Sequence, residues 1–223
     1  MSGALAGLRV VVSAGPTFED IDPVRFLGNR SSGKMGFAVA CSAAQQGADV
    51  VLVAGPVHLP TPAGVHRLDV RSAAQMHDAV MAALPCDVYI GAAAVADFTP
   101  RAPAACKLKK QPGQDTLVLE LVKTRDVLAD VAAHAQRPRL VVGFAAETHD
   151  VAHYARGELE RKRLDMICAN QVGLPGGGFE SDDNALLVIE PHGEHALGPA
   201  PKAELAAALL ARVAERLRTQ ESE

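Results

Sequence analysis

The chain has 223 residues, 48% of them hydrophobic, enough to bury one sizeable core. Its 22 Lys and Arg against 26 Asp and Glu give a formal charge of −4, which offers no electrostatic footing to nucleic acid or an anionic membrane; any anion must be caught locally. No apolar run reaches the roughly 20 residues of a membrane helix, and MSGALAG lacks the basic region and apolar core of a secretory leader, so a cytoplasmic location is expected.

Short β-branched runs alternate with Ala-rich stretches, which predicts an α/β fold: a Rossmann-like, doubly wound, mostly parallel sheet with an inserted β-hairpin or flap. The first strand is read at Leu8 to Ser13. After it, GPTFEDIDPVRFLGNRSSGKMG (Gly15 to Gly36) half-fits a phosphate loop through Gly28, Gly33 and Lys34, but Met35 stands where a magnesium-binding hydroxyl belongs. Glu19, Asp20, Asp22, Pro23 and Arg25 add a charged elbow that core packing does not require. A helix from Gly33 to Gln46, a strand from Asp49 to Ala54, the loop GPVHLPTPAG, a strand from His66 to Val70 and a helix from Ser72 to Leu84 follow. Asp87 to Ala92, in DVYIGAAA, carries too little polarity to alternate and reads as a strand covered on both faces.

Lys107 to Lys110 and Thr116 to Val122, joined by QPGQD, read as the two arms of the inserted hairpin. Helices at Thr124 to His134 and Asp150 to Arg163 flank a strand at Arg139 to Phe144. A strand at Met166 to Ala169, the turn LPGGGFESDD, a late strand or hairpin at Asn184 to Ile189 and a helix from Lys202 to Arg218 complete the pattern. A single domain over 1–223 is expected, with loose ends at 1–7 and 219–223.

In doubly wound sheets, ligands collect outside the carboxyl ends of the strands. Four suspicious motifs fall there: AGPT, GAAAVADF, GFAAET and CANQV. Their small residues let a ligand approach backbone N–H groups, and would equally serve tight helix-on-sheet packing. Asp97 suits a ribose hydroxyl or a turn. Lys107, Lys109 and Lys110, as K-x-K-K, suit phosphate or a solvated strand edge, and Lys162 a ligand or a helix C-terminus.

Cys41, Cys86, Cys106 and Cys168 form no C-x-x-C pair and are expected as free thiols, the first, second and fourth buried. His149 and His153 lack the Glu of a zinc protease, so no metal is assigned to them. No G-x-G-x-x-G follows the first strand, and Tyr154 has Glu158 in place of Lys four residues on, which leaves an NAD(P)-dependent oxidoreductase as the second choice and a non-catalytic nucleotide-sensing module as the third. The nucleophile elbow G-x-S-x-G is also missing.

Taken in order, GPTFEDIDPVRFLGNRSSGKMG, GAAAVADF, KLKK, GFAAETHD, CAN and ESDDNA resemble the phosphopantothenoylcysteine synthetase family, from about Leu8 to Leu217. The resemblance implies a ligase of coenzyme A biosynthesis that joins 4′-phosphopantothenate to L-cysteine, with CTP as cosubstrate and Mg2+ as cofactor, through an acyl-cytidylate. It implies roles for Asn29, Lys107 and Arg25 in catalysis, and for Gly15, Asn29, Arg25 and Ala94 in the acyl pocket. Gly91, Ala92, Ala93, Asp97, Lys107, Thr124, Arg125, Asp126, Val127, Phe144 and Lys162 would bind the nucleotide, with Lys107 and Lys162 neutralising the triphosphate. Many bacterial relatives carry a second lysine where this chain has Glu158; Glu158 is therefore expected to point outward, or phosphate binding to lean on Lys162. A homodimer is implied, the hairpin around Thr116 to Val122 being exchanged, as is a fused or separate phosphopantothenoylcysteine decarboxylase; no flavin is expected in this chain.

Overall fold

In the computed structural model, which describes residues 3–110, 112–113, 115–172 and 181–220, strand β1 (Arg9–Ala14) lies inside the sheet. Its Val10 and Val12 join the core on one face and Val11 the core on the other, all fully buried. Double coverage explains why the run shows no polar alternation. β4 (Asp49–Ala54) and β6 (Val88–Gly91) flank it in parallel, setting Leu52 and Ile90 on either side of Val12. β5 (Val65–Asp69) lies beside β4, β9 (Leu140–Glu147) beside β6 and β10 (Met166–Gln171) beside β9, all parallel. β11 (Asp183–Glu190) and β12 (Gly193–Pro201) then run antiparallel, giving the order β12-β11-β10-β9-β6-β1-β4-β5.

Helices α1 (Lys34–Gln45) and α5 (Lys202–Gln220) cover one face through residues such as Val39, Leu209 and Leu210. α2 (Ala73–Ala82), α3 (Val127–Ala132) and α4 (Val151–Lys162) cover the other through Met76, Val131 and Leu159. The chain winds outward from β1 through β4 and β5, then returns to β6 on β1's opposite side. That reversal opens a crevice at the carboxyl ends of β1 and β6.

Two small hairpins stand beside this crevice. β2 (Phe18–Asp20) and β3 (Phe26–Gly28) pair within the charged elbow, where Phe18 stacks on Phe26 at 3.9 Å. β7 (Phe98–Pro100) pairs antiparallel with β8 (Leu121–Lys123). This corrects the expected flap: Lys107 to Lys110 form no strand, and the partner of the 121–123 arm is 98–100. Nonlocal pairing wins because β7 leaves the end of β6 directly, and Thr124 N–H reaches back to the Asp97 carbonyl at 2.9 Å.

The helix read from Thr124 starts later, since the Asp126 carboxylate caps it by accepting from Ala129 N–H at 3.0 Å. The N-terminal end is shorter than expected: Leu5 is fully buried, and its N–H bonds the Gln46 carbonyl at 3.2 Å. At the other end α5 continues through Gln220, while residues 1–2 and 221–223 lie outside the described residues. So does most of the LPGGGFESDD turn.

All four cysteines are free; Cys168 is buried, Cys41 and Cys86 are half-buried rather than buried, and Cys106 is exposed. Burial pushes the Cys86 thiol up to about 12, and Cys168 in the same direction. No helix among the described residues is long and apolar enough to cross a membrane.

Candidate active site

The crevice widens into a cleft of about 1200 Å³ between the start of α1 and the facing surfaces of α3 and α4. Gly33 caps α1 with a φ of 76°, a left-handed conformation that favours glycine, and Gly33 to Gly36 line the cleft. The first N–H groups of a helix have no intrahelical acceptor, so this end offers an anion both donors and a favourable dipole. Gly36 lets the helix sit on β1: a Cβ there would meet the Ala14 Cβ at 2.5 Å.

The 91–97 segment forms the floor. Ala94 N–H donates to the Gly15 carbonyl at 2.9 Å, and Ala96 N–H to Thr17 Oγ1 at 3.0 Å. Thr124 Oγ1 donates to the Ala96 carbonyl at 2.7 Å, fixing the far end. Asn29 Nδ2 spans the top, donating to the Ala94 and Val95 carbonyls at 3.0 and 3.4 Å. Beneath, buried Tyr89 and Ser13 share a hydroxyl bond of 2.9 Å, and burial raises the phenol's pKa.

Gly91, Ala92, Ala93, Ala94, Asp97, Thr124, Arg125, Asp126, Val127, Phe144 and Lys162 all line this one cleft, with Asn29 among them. At the α3/α4 end, Lys162 Nζ contacts Glu158 Oε1 at 2.5 Å and Asp126 Oδ2 at 3.0 Å. Glu158 therefore lines the cleft rather than pointing outward, which removes the first of the two expected outcomes; one helical turn separates it from Lys162, and the ammonium draws it inward. Burial lowers the Lys162 pKa, but bonds from the two carboxylates outweigh it and the net shift is upward. Asp126 shifts downward: burial opposes this, and the Ala129 N–H and Lys162 prevail. Arg125 is held by Asp78 at 2.5 Å.

Gly15, Arg25 and Lys107 are not among the residues lining the cleft. Gly15 lies just beneath, under Gly33. Arg25 closes on buried Asp22 at 2.5 Å and donates to the Leu108 carbonyl at 3.0 Å. Asp22 in turn accepts from the N–H groups of Val24, Arg25 and Leu108 at 2.8, 2.9 and 3.1 Å. The Arg25 guanidinium, opposed by burial and helped by those N–H groups, holds the Asp22 carboxyl far below the usual range. Lys107, next to Leu108, is exposed on this outer side.

Sequence reading missed Arg30, Lys202 and Arg161 in the cleft, and took Lys34 only as a position of the half-fitting phosphate loop. Lys34 and Lys202 each open a helix, a place where cations are disfavoured by the dipole, and that mismatch was the available signal. Lys34 pairs with Asp182 at 2.6 Å. Lys202 is buried and its pKa is lowered, first by burial and then by Lys34, against the pull of Asp182. Asn170 completes the wall from the CAN motif.

The family model described as DNA/pantothenate metabolism flavoprotein C-terminal domain matches residues 5–217. The chain belongs to this family. Within it, the coenzyme A biosynthesis bifunctional protein CoaBC of Vibrio cholerae is 53% identical over 96% of this chain and 54% of its own length. The CoaBC protein of Escherichia coli K12 is 49% identical over 92% of this chain and 51% of its own. The chain thus spans about half the length of these curated relatives. A crystal structure of the C-terminal domain of CoaBC is 37% identical, with a TM-score of 0.82, covering 98% of this chain and all of that one.

Proposed function

We propose that this chain is the phosphopantothenate–cysteine ligase unit of a coenzyme A biosynthesis protein. The observation that carries the reading is the convergence, in one cleft, of Asn29 with the residues of GAAAVADF and of the 124–127 segment, in a chain of this family. Such a carboxylate is a poor electrophile until one of its oxygens joins a phosphate anhydride. Attack of the 4′-phosphopantothenate carboxylate on the α-phosphate of CTP releases pyrophosphate and leaves an acyl-cytidylate. The cysteine amine then attacks the acyl carbon and CMP departs with the former carboxylate oxygen.

The residues suit both halves. Negative charge gathered at the phosphates meets the α1 N-terminus with Arg30, Lys34 and Lys202, cations and dipoles already in place. Asn29 brings donors without a charge that would perturb the anhydride. No three His, Cys, Asp or Glu among the described residues converge to hold a metal. Magnesium commonly keeps several waters and is bound through substrate phosphates, so the ion would arrive on the nucleotide triphosphate.

Arg25 lies in the connection of β2 to β3 and Lys107 in that of β7 to β8, and these two hairpins carry Val24, Phe26, Phe98, Leu117, Val118 and Leu121 in exposed positions, Val118 at 88%. Exposed apolar residues in such a group mark an association surface. A homodimer through this side would deliver Arg25 and Lys107 to the partner's cleft, which reconciles their proposed roles with their placement. The test is pyrophosphate release measured with CTP, 4′-phosphopantothenate and magnesium together and with each omitted. Release only with all three supports the ligase; none from a folded protein sinks it.

A further inference from the structure

The connection of β7 to β8, from Arg101 to Glu120, has no strand or helix of its own among the described residues, and it carries Lys107. Loops of this length are uncommon in compact domains and usually serve function. Arg101 N–H closes the base on the Glu120 carbonyl at 2.9 Å. Further in, the backbone is tied to the connection of β2 to β3. Ala104 N–H donates to the Ile21 carbonyl at 2.9 Å, Leu108 N–H to Asp22 Oδ2 at 3.1 Å, and Arg25 Nη2 to the Leu108 carbonyl at 3.0 Å. Leu108, next to Lys107, is thus gripped at both its N–H and its carbonyl.

The two oxygens of Asp22 divide the work. Oδ1 accepts from the N–H groups of Val24 and Arg25 and closes the elbow's own turn. Oδ2 takes Arg25 Nε at 3.0 Å and Nη2 at 2.5 Å together with Leu108 N–H. The Asp22 side chain is fully buried, whereas that of Arg25 is 44% exposed. A long exposed arginine samples many rotamers unless a fixed carboxylate holds its planar fork. With Nε and Nη2 engaged, Nη1 has no partner among the described residues, so the fork presents one fixed edge outward.

We propose that Asp22 is a positioning residue of the ligase, which sets Arg25 and the backbone beside Lys107 as one unit so that the two cations act together. The inference rests on the ligase reading above and goes beyond it, because the roles proposed for Arg25 and Lys107 leave open what keeps two separate connections in register. It holds whether the pair serves its own cleft or a partner's.

The experiment measures pyrophosphate release with CTP, 4′-phosphopantothenate, cysteine and magnesium, at a temperature well below the melting temperature of each variant. Asp22→Asn keeps the shape, yet whichever way its amide is turned, its N–H2 faces other N–H donors. Its kcat/KM should fall on the order of 10- to 100-fold, the scale of a displaced catalytic group. Asp20→Asn is the control: Asp20 stands on the same hairpin and pairs at the surface with Arg71 at 2.6 Å, and its loss should leave activity within about twofold of wild type. Arg25→Ala separates positioning from folding, since free guanidinium at millimolar concentration can bind the freed carboxylate. Guanidinium should restore part of the activity of Arg25→Ala and none of it once Asp22→Asn is added. That double variant should also lose less than the product of the two single losses. The rescue of Arg25→Ala is read with Asp22 in place, so it tests the inference whether or not Asp22→Asn folds. Asp22→Asn as active as Asp20→Asn, losses that multiply in full, or a rescue that is absent or indifferent to Asp22 overturns the inference alone. No release from the wild-type chain overturns the ligase reading and this inference with it.

Discussion

Asn29 makes two bonds that a carboxylate cannot make, donating to the carbonyls of Ala94 and Val95. Asn29→Asp replaces that donor with a carboxylate facing two carbonyl oxygens, next to an anionic anhydride. Turnover should fall on the order of 100-fold, the scale of one lost preorganised donor, while calorimetry should find the CTP dissociation constant within about threefold of wild type. A loss confined to nucleotide binding would move Asn29 out of the acyl pocket. Asp22 allows a test by pH. Its folded pKa is depressed, so its stabilising contribution is full above the ordinary carboxylate value and fades as pH falls toward the folded one. Asp22→Asn should accordingly lower the melting temperature at pH 7, and the gap to wild type should close on acidification below about pH 4. A gap that stays constant to low pH would mean that Asp22 acts by shape rather than charge. The sequence showed the motif holding both residues, but not that Asp22 is its hub. That role depends on Leu108, far along the chain, coming back to bond it.

Two glycines within helices show how packing sets the value of one side chain. In α1 a Cβ on Gly36 would meet the Ala14 Cβ at 2.5 Å and the Ala14 Cα, which is strand backbone, at 3.2 Å. Gly36→Ala should destabilise by about 1–3 kcal/mol and, by lifting the helix start, weaken nucleotide binding as well. In α4 Gly157 has nothing within 4 Å of such a Cβ. Gly157→Ala should stabilise by about 0.5–1 kcal/mol, as alanine does in an open helix position. Denaturant titration of both variants checks the pair, and equal signs would refute the packing argument. The same contrast explains which elements could be read from sequence. β1 and β4 were legible because runs such as Val10 to Val12 are buried on both faces, a local signal. β2, with Glu19 and Asp20, has no such signal; Glu19 is buried because it accepts from Ala73 N–H at the start of α2. β12 carries Pro199 and Pro201, residues that an edge strand tolerates and an inner strand would not. The 107–110 lysines looked like a strand because alternation suited them, yet β8 finds its partner in β7.

At the scale of the whole molecule, the residues expected to act together divide into those on the cleft walls and two on the hairpin side, Arg25, held by Asp22 and the Leu108 carbonyl, and exposed Lys107. In the proposed symmetric dimer each of these two residues would serve the neighbouring cleft. Asn29→Asp and Lys107→Gln should each be nearly inactive alone. When equal amounts are unfolded and refolded together, half the dimers are expected to be mixed. Each mixed dimer has one cleft with native Asn29 from its own chain and native Lys107 from the partner, and one cleft with both lesions. Activity should then recover to roughly a quarter of wild type. If Lys107 acts within its own chain, every cleft keeps exactly one lesion and mixing restores nothing. Val118→Asp, which charges the most exposed apolar residue of the hairpin side, should abolish the recovery by blocking association. Sedimentation of the mixture separates loss of the dimer from loss of chemistry, so recovery without dimers would refute the shared site as firmly as dimers without recovery.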